Sequence, residues 1–142
     1  MRKSVVFLLG AIYLVSIVVV TFFGMQAKMD QFQIYMTKIE ITSYDNISQG
    51  NKYKFITYDE TEGFCSTFIT YTYEPSSATF PERVSFSLVG NTYTDETTGE
   101  TKYYATISTS GELVFYKRKA VTVTITTTDG SKLSDSVMVI CR

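Results

Sequence analysis

The sequence predicts one all-β domain, a sandwich or a barrel, behind a single membrane-spanning helix. Three observations lead there. Residues 5–23 form an apolar run without a charge, and the chain from Tyr35 onward breaks into short alternating runs split by turn chemistry. Tyrosine, phenylalanine and threonine abound while tryptophan and histidine are absent, and this is a strand-forming composition.

Residues 4–25 read SVVFLLGAIYLVSIVVVTFFGM. The nineteen positions from Val5 to Phe23 make a helix of roughly 28 Å, about the thickness of a bilayer's hydrocarbon core. A secretory signal has a shorter apolar region, of about 7–15 residues, followed by a small-residue cleavage site. Here the run passes through Phe22 and Phe23 into Met25-Gln26-Ala27, a poor cleavage site, so residues 1–27 are expected to remain as an uncleaved signal-anchor. Arg2 and Lys3 precede the span and only Lys28 closely follows it. By the positive-inside rule the N-terminus lies in the cytoplasm and the C-terminal domain outside the cell. Residues 28–34 read as a short polar spacer, and 35–142 as one domain with one core.

Within that domain apolar residues alternate with polar ones or with threonine, as in antiparallel strands with one buried face. Eight runs show it: 35–42, 53–58, 65–73, 83–89, 103–108, 112–116, 120–127 and 134–141. The separators carry Asp-Asn, Gln-Gly-Asn, Glu-Pro-Ser-Ser, Thr-Thr-Gly, Thr-Ser-Gly and Thr-Asp-Gly-Ser, which favour turns. Val121, Val123 and Ile125 alternate cleanly with Thr122, Thr124 and Thr126, so the apolar set should face the core together with Val84, Phe86 and Leu88.

Four segments also resemble a known family. YATISTSGELVF (residues 104–115), VTVTITTTDGSK (121–132) and the closing VMVI (137–140) are similar to the C-terminal half of the group 2 bacterial immunoglobulin-like domains. YEPSSATFPERVSFS (73–87) resembles that family's proline-containing turn between its second and third strands. The family is common in cell-surface proteins such as the invasin and intimin adhesins. It implies an Ig-like Greek-key sandwich of seven to eight strands and does not imply a catalytic site. Lys119 stands where the family usually has a glycine, residues 91–102 read as an insertion, and residues 35–62 match poorly.

The chemistry available is sparse. Without histidine the common catalytic triads and the imidazole base are missing, no glycine-rich phosphate loop stands out, and the protein is expected not to be an enzyme. Cys65 and Cys141 are too far apart in sequence for a metal-binding pair, and neither metal nor cofactor is expected. From Lys28 onward 11 basic and 14 acidic residues give a formal charge of −3, which argues against nucleic acid as a partner. Asn46-Ile47-Ser48 matches a glycosylation acceptor, a three-residue motif read here as chance.

Four groups are candidates for function. In an Ig-like sandwich with these strands, Cys65 and Cys141 both fall at the membrane-distal tip, where a disulfide is expected if they meet. Opposing this, an inward Met138 and Ile140 would turn Cys141 outward. The same tip is expected to carry Asp59, Glu60 and Glu62, then Asp95 and Glu96 in the insertion, and Lys117, Arg118 and Lys119, together forming a partner-binding surface. The acidic groups would otherwise be weighed as calcium ligands or solvated turns. Phe64 and Phe68 lie on the strand face opposite Ile69, so one of the two sets should be exposed, and exposed phenylalanines would mark a partner patch.

The expected role is a membrane-anchored surface module for adhesion or cell-envelope structure, meeting an unknown protein or envelope polymer. An accessory subunit of a membrane complex, whose β-domain caps its partners, is the second reading. A pilin-like subunit is the third, and residues 5–23 lack the glutamate that reading requires.

Overall fold

The uncharged N-terminal run forms one helix, α1 (Lys3–Asp30), in the computed structural model, which describes residues 3–30 and 33–142, with side chains described outside 24–30. Its stretch Lys3–Phe23 is long and apolar enough to cross a membrane, a test that a signal sequence also passes. The large apolar side chains of this stretch are exposed. Two of its hydroxyls are bonded within the helix, Ser16 Oγ donating to the Ile12 carbonyl at 2.9 Å and Thr21 Oγ1 to the Ile17 carbonyl at 2.7 Å, an arrangement that lets them reside in lipid. Gln26-Ala27-Lys28 contains no helix breaker, so α1 continues past the boundary expected at residue 27 and takes in the first part of the spacer. Arg2, on which the expected orientation partly rests, and positions 31–32 of the spacer lie outside the described residues.

The chain divides into two units at Ile34 and Tyr35. The second is a β-sandwich of twelve short strands: β1 (Lys38–Ile41), β2 (Asn46–Ser48), β3 (Asn51–Ile56), β4 (Cys65–Phe68), β5 (Tyr71–Glu74), β6 (Val84–Val89), β7 (Thr92–Thr94), β8 (Thr101–Tyr103), β9 (Ala105–Ile107), β10 (Glu112–Phe115), β11 (Ala120–Thr127) and β12 (Ser134–Cys141). Each of the eight expected runs overlaps at least one strand. The number exceeds seven to eight for three reasons. The run 65–73 breaks into β4 and β5, residues 46–48 add a short edge strand, and the insertion 91–102 contains β7 and pairs it with β8.

One layer has the order β4-β10-β9 and the other β2-β3-β12-β11-β6, with β3 and β12 the parallel pair. The β4–β5 stretch pairs first with β10 and then with β1. At its bend the Ile69 N–H donates to the Gly111 carbonyl, and the Thr70 carbonyl accepts from the Thr42 N–H, both at 2.9 Å. Gly111 sits there at φ +85°, and a Cβ on it would lie 2.9 Å from the Ile69 carbonyl oxygen and 3.0 Å from the Phe86 ring. The bend therefore needs glycine at this turn.

The core joins the two layers. Ile39, Ile41, Cys65, Ile69, Ala105, Leu113 and Phe115 meet Val121, Val123, Ile125, Val137, Val139 and Cys141 in one buried cluster. Val121, Val123 and Ile125 point inward as expected, while Val84, Phe86 and Leu88 are half-buried against them. The expectation for β12 is corrected. Residues 137–140 are apolar without interruption, so alternation alone could not choose a face. Pairing with β11 decides it: Val139 lies opposite Val121 and Val137 opposite Val123. Val137, Val139 and Cys141 are buried, whereas Met138 is exposed.

A polar clamp ties β1 to the second layer. Lys52 Nζ reaches Asp135 Oδ2 at 2.6 Å, Glu40 Oε1 at 3.3 Å and the Ile41 carbonyl at 3.1 Å, and Asp135 Oδ2 also accepts the Ile41 N–H at 2.7 Å. Burial opposes ionisation of Asp135, yet the Lys52 ammonium and the Ile41 and Ser136 N–H groups outweigh it and hold the carboxyl below its usual range.

Two outcomes follow from this packing. Ile125→Ala should lower stability by about 2–5 kcal/mol and Thr124→Ala by far less, measured by denaturant unfolding; equal losses would contradict the face assignment. Because Asp135 titrates below its unfolded value near 4, the stability it contributes is present above that value and is lost as pH falls through the lower, folded one. Asp135→Asn should cost about 1–3 kcal/mol at neutral pH and make the acid limb of stability shallower. An unchanged acid limb would mean that the clamp is energetically idle.

Candidate functional site

The strands β11 and β12 run the length of the sandwich and define its two ends. The chain enters the domain beside the 128–133 turn, where the Met36 N–H donates to Asp129 Oδ2 at 3.0 Å and the Tyr35 ring lies against Gly130. At the opposite end β11 begins and β12 finishes. The Cys141 N–H donates to the Lys119 carbonyl at 2.9 Å, the Arg142 N–H to the Ile56 carbonyl at 3.0 Å, and the Tyr58 N–H to the Arg142 carbonyl at 2.9 Å. These bonds bring three separate segments together: the 59–64 turn, the 116–119 loop and the chain terminus.

Tyr58 fastens the first two segments to each other. Its hydroxyl lies 2.7 Å from the Gly63 carbonyl and 3.1 Å from that of Tyr116. Asp59 shapes its own turn, since one carboxylate oxygen accepts the N–H groups of Thr61 at 2.8 Å and Glu62 at 3.2 Å. Those backbone bonds draw its carboxyl below the usual range. Glu60 pairs with Arg118 across the gap, and the Arg118 guanidinium also sits 5.7 Å from the centre of the Tyr58 ring. Glu62 is exposed.

The hairpin of β7 and β8 borders the same loop. Asp95 pairs with Lys102 and also accepts the Thr97 N–H at 2.9 Å, and these two contacts hold its carboxyl down to about 2. Glu96 is exposed at the hairpin's turn. The Tyr93 and Tyr104 rings lie 4.5 Å apart. Lys117 Nζ stands 4.3 Å over Tyr93 and Lys119 Nζ 5.1 Å over Tyr104. Hydrogen bonding to Tyr93 raises the Lys117 ammonium above its usual range. Each cation of the 117–119 loop thus rests on a tyrosine, attracted by the negative face of its ring.

The cysteines occupy the floor beneath these loops. Cys65 opens β4 and Cys141 closes β12, their Sγ atoms are 2.9 Å apart, and both are buried. Phe64 and Phe68 stand outward, 40% and 57% exposed, while Ile69 is buried at 3%. With Val114, opposite Ser66, and the exposed Tyr116 they form an aromatic stripe on the outer face of the β4-β10-β9 layer.

The structure thus brings together Glu60 with Arg118, Asp95 with Lys102 beside Lys117, and Cys65 with Cys141, while Phe64 and Phe68 lie on an adjoining face. Sequence reasoning missed Tyr58, Tyr93 and Tyr104, which carry the cations. A signal for two of them was present in TYTDETTGETKYY (residues 92–104), where alternation about a glycine-bearing turn reads as a hairpin. Among the described residues no group of three or more histidine, cysteine or carboxylate side chains could hold a metal ion. No protein-family model matches the chain, and no curated protein matches it either.

Tyr58→Phe should free the 59–64 turn from Tyr116 at a cost of about 0.5–1.5 kcal/mol. Faster amide exchange at Gly63 with the core amides unchanged is the expected readout. Unaltered exchange at Gly63 would show that the hydroxyl does not hold the loops.

Proposed function

We propose that this protein is a membrane-anchored extracytoplasmic module without catalytic activity, used for adhesion or cell-envelope structure. It meets an unknown protein or envelope polymer through the loops at the end of the sandwich opposite Tyr35. The observation that carries this reading is the convergence of the 59–64, 95–100 and 116–119 segments at one end of a rigid core. Loops held on such a scaffold are where binding residues usually sit, and the surface combines cations seated on tyrosine rings with exposed carboxylates. The resemblance to group 2 bacterial immunoglobulin-like domains supports the same class of role. Arg2 and Lys3 before the span favour a cytoplasmic N-terminus and an external domain, and the length of the apolar run through Phe23, with a poor cleavage site after it, favours retention of the helix as an anchor.

The exposed Phe64 and Phe68 favour a second reading, an accessory subunit of a membrane complex. In that case a partner subunit would cover the aromatic stripe, and a stoichiometric partner should co-purify in mild detergent.

The proposal is tested on whole cells and washed membranes. The full-length protein should stay in the membrane pellet after a carbonate wash, and protease added to intact cells should digest the domain. Replacing residues 95–100 by a two-residue turn should leave the domain folded and weaken attachment to isolated envelope. A soluble form lacking residues 1–27, or attachment unaffected by that replacement, would contradict the anchor or the binding end respectively.

A further inference from the structure

The two cysteines stand apart from the rest of the core because they are its only reactive groups among the described residues in contact with each other across the two layers. Cys65 is fixed in the β4–β10 ladder opposite Phe115. Cys141 is fixed by its pairing with Ile56 in β3 and by its N–H bond to the Lys119 carbonyl. Neither backbone can withdraw without breaking sheet hydrogen bonds, and the sulfurs touch at 2.9 Å with no other atom between them. They are 76 positions apart in sequence, so joining them would close most of the domain into one loop.

We propose that Cys65 and Cys141 form an intramolecular disulfide in the exported protein, a covalent clamp between the layers beneath the partner-facing loops. This rests on the reading that the domain lies outside the cytoplasm, where disulfides form and persist. Both S–H bonds break, one S–S bond forms, and two protons and two electrons pass to a disulfide oxidant, a thiol oxidoreductase or a small-molecule disulfide, which leaves as two thiols. Exchange needs a thiolate, and burial followed by contact with Cys65 pushes the Cys141 thiol up to about 12. The bond therefore forms while the cysteines are still accessible to the oxidant. Once enclosed, it is shielded from reductants that do not unfold the domain. Its effect is to pin the end of β12, and through it the 116–119 loop and Tyr58, to β4.

The full-length protein in detergent is unfolded and refolded either in a mixture of oxidised and reduced glutathione or in excess reductant. In the glutathione mixture the protein should lose both titratable thiols and remain monomeric. Its Tm should exceed that of the reduced form by roughly 10 °C or more. The difference should vanish in C65S/C141S. Thiols that still titrate after refolding with oxidant, or a bond that leaves Tm unchanged, would overturn the clamp. The state in cells is read by blocking thiols during lysis and comparing reduced with non-reduced electrophoresis. A bond found there supports the proposal. Two thiols in cells, together with a stabilising bond in vitro, would instead overturn the external location on which the proposal rests.

Discussion

The pairing of β11 with β12 is the constraint on which the rest of the domain depends. Each strand is eight residues long, longer than any other, and they lie side by side near the middle of the larger layer. Their register places Val121 opposite Val139 and Val123 opposite Val137, so both strands present one apolar face to Leu113 and Phe115 of the other layer. A slip of one residue would carry Met138 and Ile140 inward and expel Val137, Val139 and Cys141. Burying Val121, Val123 and Ile125 of β11 leaves its threonines on the outer face, and that strand's two-faced polarity selects the register, while Met138 and Ile140 of β12 are left on the outer parity.

Everything at the loop-bearing end is set by that choice. With Cys141 turned inward, its N–H meets Lys119 and its sulfur meets Cys65. Arg142 then bonds Ile56 and Tyr58, which positions the Tyr58 hydroxyl between two loops. At the other end, the buried Asp129 carboxylate organises its own turn and receives the Met36 N–H. The two ends thus do different work, one receiving the chain and the other gathering exposed charge and aromatic surface.

How much of this was legible in the sequence depends on the residue. The 120–127 strand was readable because threonine separates each of its apolar residues, and the 65–73 run was readable as a strand although not as one that changes partners. The bend at Ile69 and Thr70 depends on Gly111, far away in the chain, and no local pattern announces it. The face of β12 was not readable, since four consecutive apolar residues satisfy either parity. The loops that converge were predicted to share a tip from topology alone. Their contacts were hidden because Tyr58, Tyr93 and Tyr104 act through pairings distant in sequence, as do Lys52 and Asp135 in the clamp on β1.

Under the proposed function, the architecture separates support from recognition: strands supply rigidity, and the loops supply the contact chemistry on top of it. That separation requires the β11–β12 register to be as described, because a slipped register would dismantle the loop-bearing end. Nuclear Overhauser contacts in the full-length protein in detergent micelles test it most directly. The account predicts contacts between the methyl groups of Val139 and Val121 and between the β-protons of Cys141 and Cys65, with the Met138 methyl free of core contacts. Contact of the Met138 methyl with Leu113 or Phe115 would contradict it.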